Sequence, residues 1–282
     1  MGAAALGLLL ALVSAWAPVQ AQERVAVPSL ELQHGTPVLL AGFWFPVDPA
    51  VDRPAVVLLH GCGGAYDRHG GLSARTRDYA ALLNQEGWHV LVLDSLSARG
   101  LNELCTQRPS TRTVKVLNRR KDALGALEWL AQQPGVDRDR LVLLGWSNGG
   151  STVLAATNRQ ADEVKDATAR PRAAVAFYPG CEQELRRGYE ATAPLLMLLG
   201  DSDDWTPPQA CRDLARAAQG APVRWVGYPG AVHGFDTDAP VRLRRDVPGG
   251  ARPGQGVHMG GQKAAREDSR SQLLAFLRAQ LN

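Results

Sequence analysis

Ser147 lies in the pentapeptide Gly145-Trp146-Ser147-Asn148-Gly149, and residues of these types at this spacing suit attack on a carbonyl carbon. The four apolar residues 141–144 precede it, and a helix-compatible stretch follows. G-x-S-x-G between a strand and a helix is a sharp turn. It lifts the serine hydroxyl out at the strand's C-terminal end, beside the positive end of the next helix. Crowding in such a turn leaves no room for a Cβ two residues before or after the serine, so both glycines are steric requirements. The competing reading is structural, with Ser147 as an ordinary helix N-cap in a glycine-rich turn.

A serine nucleophile needs a base and a group that orients the base. The loop after the apolar run 195–199 carries Asp201, Asp203 and Asp204. The loop after 223–228 carries His233. Loops at strand C-termini are where an open α/β sheet builds its site, and the chain order serine, acid, histidine suits this arrangement. Of six histidines, His233 alone combines order and placement. His34, His69 and His89 read as loop or surface residues, His60 precedes a glycine loop, and His258 is the alternative base. The segment His60-Gly61-Cys62-Gly63-Gly64 follows the first candidate parallel strand. Acyl transfer needs donors for a tetrahedral oxyanion. The backbone N–H groups of Cys62 and of Asn148, next to the nucleophile, can supply them. A plain tight turn is the alternative.

These residues need a scaffold of strands ending on one edge. Residues 25–47 alternate around His34-Gly35 and predict an antiparallel hairpin. Continuous apolar runs at 55–60, 90–94, 141–146, 173–178, 195–199 and 223–228 predict strands buried on both faces. Helical periodicity marks 73–86, 113–132, 148–158, 208–218 and 264–281. Strands alternating with helices predict an α/β fold with a mostly parallel sheet covered on both faces. Residues 248–261, rich in Gly and Pro, read as a flap or a linker before the last helix. Nothing divides the chain into two domains, so 22–282 is expected to form one.

The 282-residue chain has 31 basic and 28 acidic residues, a net charge of +3, and no basic run of the kind that binds nucleic acid. Residues 1–21 carry no charged side chain. The apolar run 3–13 and the Val19-Gln20-Ala21 cleavage pattern predict an export signal, with a mature chain starting at Gln22 in the periplasm or outside the cell. An uncleaved anchor is the alternative. No later stretch is apolar for long enough to span a bilayer, so no stable membrane association is expected after signal removal. The four cysteines, Cys62, Cys105, Cys181 and Cys211, are disulfide candidates in an exported chain. No metal or organic cofactor is implied.

VVLLHGCGG (56–64), LDSLSARG (93–100), GWSNGG (145–150), FYPGC (177–181), LLGDSDDWTPP (198–208) and YPGAVHGFD (228–236) together resemble the dienelactone hydrolase family. The resemblance implies the α/β-hydrolase fold, Ser147 as nucleophile, Asp203 as orienting acid and His233 as base. The enzyme that names the family uses cysteine; here position 147 is serine, which depends on His233 to remove its proton. The implied activity is therefore general hydrolysis of a small carboxylic ester or lactone through an acyl-enzyme. The alternatives are a peptidase or acyltransferase with the same triad, or a non-catalytic binding protein. By the same resemblance, neighbouring strands imply the pairings Cys62–Cys105 and Cys181–Cys211. Trp146 and Trp205 are candidates for the acyl pocket, with plain core as the alternative. Arg99 is a candidate for a substrate carboxylate, with a structural ion pair as the alternative. The oligomeric state is left open.

Overall fold

The computed structural model describes residues 22–282; the expected export signal lies outside the described residues. The chain begins with an antiparallel hairpin, β1 (Glu23–Gln33) and β2 (Thr36–Phe45). Then follow β3 (Arg53–Leu59), α1 (Ala74–Gln85), β4 (His89–Asp94), α2 (Val116–Leu130) and β5 (Val136–Trp146). Next come α3 (Asn148–Ala156), α4 (Asp162–Lys165), β6 (Ala173–Phe177), α5 (Glu182–Arg187), β7 (Glu190–Ala191) and β8 (Leu195–Gly200). The last elements are α6 (Gln209–Ala217), β9 (Gln219–Gly220), β10 (Val223–Tyr228), β11 (Arg242–Arg244), β12 (Val257–Met259) and α7 (Lys263–Leu281).

The main sheet has eight strands in the order β1-β2-β4-β3-β5-β6-β8-β10. The strands from β4 to β10 in this order are mutually parallel, and only β2 runs against the rest, pairing antiparallel with both β1 and β4. Alternate residues of the apolar strands feed two separate cores. Val57, Leu59, Leu91, Leu143 and Met197 face one, with Leu124 and Leu127 of α2 and Leu154 of α3 packed on them. Val56, Leu58, Val92, Leu144 and Leu198 face the other, covered by Tyr79 of α1 and by Leu273 and Leu277 of α7. Both strand faces are dry, which is why these runs are continuous rather than alternating. Each such side chain contributes about 1.5–3 kcal/mol on burial. The α/β fold with a mostly parallel sheet is the predicted one.

Three local expectations need correction. His89 is a core residue, fully buried at the start of β4. Its ring stacks on Trp44 with centroids 5.2 Å apart, Nδ1 accepts the Val47 N–H at 3.0 Å, and Nε2 lies 2.9 Å from the Gly135 carbonyl. Its partners come from distant loops, which no local pattern reveals. The helix expected over 148–158 stops at Ala156, where the Thr157 hydroxyl turns back onto the Val153 carbonyl at 2.8 Å. Segment 248–261 is not a free linker. It ends in β12, which pairs with β11, and Gly260 N–H donates to the His233 carbonyl at 3.0 Å. Ala251 N–H likewise donates to the Asp204 carbonyl at 2.7 Å, so the segment is tied to two loops at the sheet's C-terminal edge. Among the described residues, no helix is long and apolar enough to cross a membrane.

Candidate active site

β5 delivers Ser147 at its C-terminal end with φ 54° and ψ −117°. A non-glycine residue held there costs about 1–3 kcal/mol and persists only when its surroundings force it. They do. A Cβ on Gly145 would lie 2.3 Å from the Gly149 carbonyl oxygen, and one on Gly149 would lie 2.0 Å from that of Leu59. Both glycines are therefore obligatory for the turn. The N-cap alternative fails, because the Ser147 side chain makes no capping bond to α3. Its Oγ lies instead 2.9 Å from His233 Nε2.

The loop after β10 holds His233, and the loop after β8 holds the acid. His233 Nδ1 lies 2.7 Å from Asp203 Oδ2. Asp203 Oδ1 accepts the Trp205 and Thr206 N–H groups at 2.8 and 2.9 Å, and the Thr206 hydroxyl lies 3.0 Å from Oδ2. A carboxylate held by these donors accepts from Nδ1–H. That tautomer leaves the Nε2 lone pair facing Ser147 Oγ. The other acids in the loop are engaged elsewhere. Asp201 bonds Arg212 at 2.5 Å, and Asp204 bonds His258 Nδ1 at 2.7 Å. His258, the alternative base, is thus paired at a half-exposed position away from Ser147. Thr206 carries only a weak signal in the sequence: it stands three residues after Asp203, where a loop N–H can turn back onto a side-chain oxygen.

The His60–Gly64 turn lies against the elbow. A Cβ on Gly61 would touch the Trp146 carbonyl at 3.4 Å and the Ser147 Cβ at 3.6 Å. A disulfide from Cys62 to Cys105 ties this turn to the loop after β4, and a second joins Cys181 to Cys211. These are the pairings the resemblance implies. The His60 ring braces the turn from below. Nε2 accepts the Ser95 N–H at 3.2 Å, so Nδ1 carries the proton and meets the Gly61 carbonyl at 2.7 Å. Burial, with the nearby Arg119 charge, holds the His60 pKa down at about 3.

A neutral buried histidine has a consequence for stability. The folded pKa lies below the ordinary 6.5, so the unfolded chain binds more protons between the two values. The stability contribution is complete above pH 6.5 and is lost as pH falls toward 3. His60 alone should therefore cost about 2 kcal/mol at pH 5 relative to pH 8. His89, lowered by burial as well, acts in the same direction. Urea denaturation across pH 5–8 checks this; a flat profile over that range would contradict it.

Ser147 and His233 open onto a cavity of about 210 Å³, walled by Tyr66, Tyr178, Trp205, Met259, Arg75 and Arg244. The Trp205 ring lies 4.7 Å from the His233 ring, on the cavity wall. Trp146 belongs mainly to the core. It is 1% exposed, lies edge-on to Tyr79 at 5.0 Å, and donates its indole N–H to Asp236 at 3.0 Å, although the residue also borders the cavity. Arg99 needs correction. It does not line the cavity; it makes a two-pronged pair with Asp122 at 2.8 and 3.0 Å and a further bond to Glu31. The ion pair wins because Asp122 is fully buried and needs a cation.

Arg75 and Arg244 are the arginines that line the cavity, and Arg75 is held there by a hydrogen-bonded chain. Its Nη1 donates to the Tyr178 hydroxyl at 3.0 Å, and that hydroxyl donates to Asp236 at 2.6 Å. A basic residue in the first turn of α1 opposes the helix dipole. That local conflict is the sequence signal for it.

An eight-stranded, mostly parallel sheet, with Ser147 on a strained strand–helix elbow against His233 and Asp203, is the architecture of an α/β-hydrolase. The Dienelactone hydrolase family model matches residues 41–281, and the chain belongs to that family. It is a hydrolase by that membership. A Bradyrhizobium protein named "Probable 2-oxo-3-(5-oxofuran-2-ylidene)propanoate lactonase" is 27% identical over 180 residues, 58% of this chain and 69% of that protein. The structure of Thermogutta terrifontis esterase 2 phosphorylated by paraoxon has a TM-score of 0.61 at 18% identity, covering 91% of this chain and 92% of that one. Porphyromonas gingivalis dipeptidyl peptidase 4 gives 0.62 at 17% identity, covering 92% of this chain and 35% of its own. At these identities the structural likenesses establish the fold alone.

Proposed function

We propose that this protein is an exported serine hydrolase that cleaves small carboxylic esters or lactones through an acyl-enzyme on Ser147. The observation that carries the proposal is the continuous hydrogen-bonded chain Ser147 Oγ–His233–Asp203 at the mouth of a cavity. His233 Nε2 takes the Ser147 proton as Oγ attacks the carbonyl carbon. The carbonyl oxygen becomes an oxyanion that accepts from the Cys62 and Asn148 N–H groups. Asp203 stabilises the imidazolium. The C–O bond to the alcohol breaks as Nε2–H protonates the departing oxygen. A water then gives a proton to His233 Nε2 as its oxygen attacks the acyl carbon; the bond from that carbon to Ser147 Oγ breaks, Nε2–H returns the proton to Oγ, and the acid leaves.

Cavity size and charge narrow the substrate class. About 210 Å³ is below the ~300–1,000 Å³ of sites for drug-sized ligands, so a short acyl group fits. Arg75 and Arg244 put two guanidinium groups on its wall, each already beside a carboxylate, Asp236 at 3.8 Å and Asp246, so a carboxylate on the substrate would share these cations. The anionic lactone in the name of the Bradyrhizobium relative has that chemistry. Two disulfides suit an oxidising compartment, which supports export, with residues 22–282 as the mature single domain.

A fluorophosphonate probe with peptide mapping, followed by a panel of neutral and carboxylate-bearing short esters and lactones, tests the reading. A covalent adduct on Ser147 and hydrolysis declining beyond about four acyl carbons are expected. No adduct on Ser147 in folded protein, or no turnover of any ester or lactone, would reject it.

A further inference from the structure

Arg119 of α2 is fully buried, yet it forms no hydrogen bond with any carboxylate among the described residues. Its Nη1 donates to Asn148 Oδ1 at 2.6 Å, and its Nη2 donates to the His60 carbonyl at 2.8 Å. The two acceptors stand on different elements. His60 directly follows β3 and opens the glycine turn, whereas Asn148 begins α3 directly after Ser147. The N–H groups assigned above to the oxyanion belong to Cys62, two residues beyond His60, and to Asn148 itself. One rigid guanidinium therefore spans both sources of donors.

We propose that Arg119 is a positioning residue that sets the spacing of the Cys62 and Asn148 N–H donors and places a positive charge beneath the oxyanion; this rests on the acyl-enzyme reading. Burial lowers the Arg119 pKa to about 10, with Asp122 and Asp94 opposing that shift, so the group is still charged at neutral pH. Those two carboxylates are committed to other donors. Asp122 takes Ser29 and Arg99, and Asp94 takes the Leu96 and Ser97 N–H groups and the Ser97 hydroxyl. The cation is thus compensated at a distance and not by contact. Arg119 Nε has no partner among the described residues, an added cost of keeping a guanidinium at this position. A lysine carries its charge at a single point and cannot hold two acceptors in a fixed fork. The buried face of α2 also carries Arg120 and Asp122, but Arg120 pairs with Glu163 and Asp122 with Arg99, which leaves the Arg119 fork to Asn148 and His60.

The test compares wild type, Arg119→Gln, Arg119→Lys, Asn148→Ala and Ser147→Ala in the full mature chain. It measures kcat and KM on a short p-nitrophenyl ester, and the affinity of a trifluoromethyl ketone. That ketone adds the serine oxygen to become a tetrahedral oxyanion, so it reads the donors directly. Arg119→Gln should lower kcat about 30–100-fold with KM within threefold, and weaken the ketone by the same factor as kcat/KM. Arg119→Lys should fall between this variant and wild type. A kcat within threefold of wild type, or a fall in kcat with ketone affinity unchanged, would overturn the proposal. If Arg119→Gln does not fold, Asn148→Ala decides, because it removes one leg of the bridge at a half-buried position. It should then lose about tenfold in kcat with a matching loss for the ketone, and a kcat within twofold would overturn the idea. Ser147→Ala separates the two readings. An active Ser147→Ala defeats the acyl-enzyme itself, whereas an inactive one beside a fully active Arg119→Gln defeats the Arg119 role alone.

Discussion

Ser147→Ala is expected to lower kcat for ester hydrolysis by at least about 10⁴-fold while leaving the protein folded. The serine contributes little to packing, and among the described residues its side chain has one hydrogen-bond partner, His233, at 2.9 Å. Alanine at φ 54° carries the same backbone strain as serine, so stability should change by less than about 1 kcal/mol. Rate behaves differently. Without Oγ no acyl-enzyme can form, and the remaining donors offer only the residual acceleration of a bound ester exposed to water. Stopped assays on p-nitrophenyl acetate, paired with a urea curve, check both halves. Wild-type-like turnover from a folded Ser147→Ala protein would remove Ser147 from the mechanism.

Asp203→Asn is expected to cost about 10³–10⁴-fold in kcat, by a different route. An amide at 203 would turn its NH₂ toward His233 Nδ1, because the backbone N–H groups of Trp205 and Thr206 already claim an acceptor on the other oxygen. Nδ1 must then accept, the ring proton moves to Nε2, and the base that faces Ser147 Oγ is gone. Asp204→Asn and Asp201→Asn are the controls. Each of those carboxylates bonds another partner, His258 or Arg212, and neither bonds His233. They should stay within about fivefold of wild type, in line with the modest worth of exposed pairs. A harmless Asp203→Asn beside a crippled Asp204→Asn would move the orienting acid to Asp204 and bring the 248–261 segment, through His258, into the site.

Local requirements made much of this protein legible without coordinates. Continuous apolar runs report strands with two dry faces, because every residue of such a strand must avoid water. The glycines at 145 and 149 can be read beside Ser147, because the clash that forbids a Cβ lies within the same turn or the strand beside it. The loops carrying His233 and the three aspartates can be placed at one sheet edge, because parallel strands point their C-termini the same way. Choosing Asp203 among the three needed a family resemblance, since residues two or three apart in one loop face different ways and spacing does not say which.

What only the tertiary structure decided depends on contacts between segments far apart in the chain. Arg99 lies close to a motif, yet its charge goes to Asp122 and Glu31, because burial makes an unpaired carboxylate costlier than an unfilled substrate site. His89 is sealed between Trp44 and two loop backbones, an environment that nothing in its own neighbourhood announces. Segment 248–261 is recruited to the His233 and Asp204 loops by backbone bonds that composition cannot foresee. Arg75 faces the cavity, and Arg119 lies beneath the Ser147 elbow. Each sits on a helix whose sequence shows only a basic residue in a helical pattern. A side chain's chemistry is written in its type, but its role depends on which distant acceptor it reaches, and that is decided only when the helices close over the sheet.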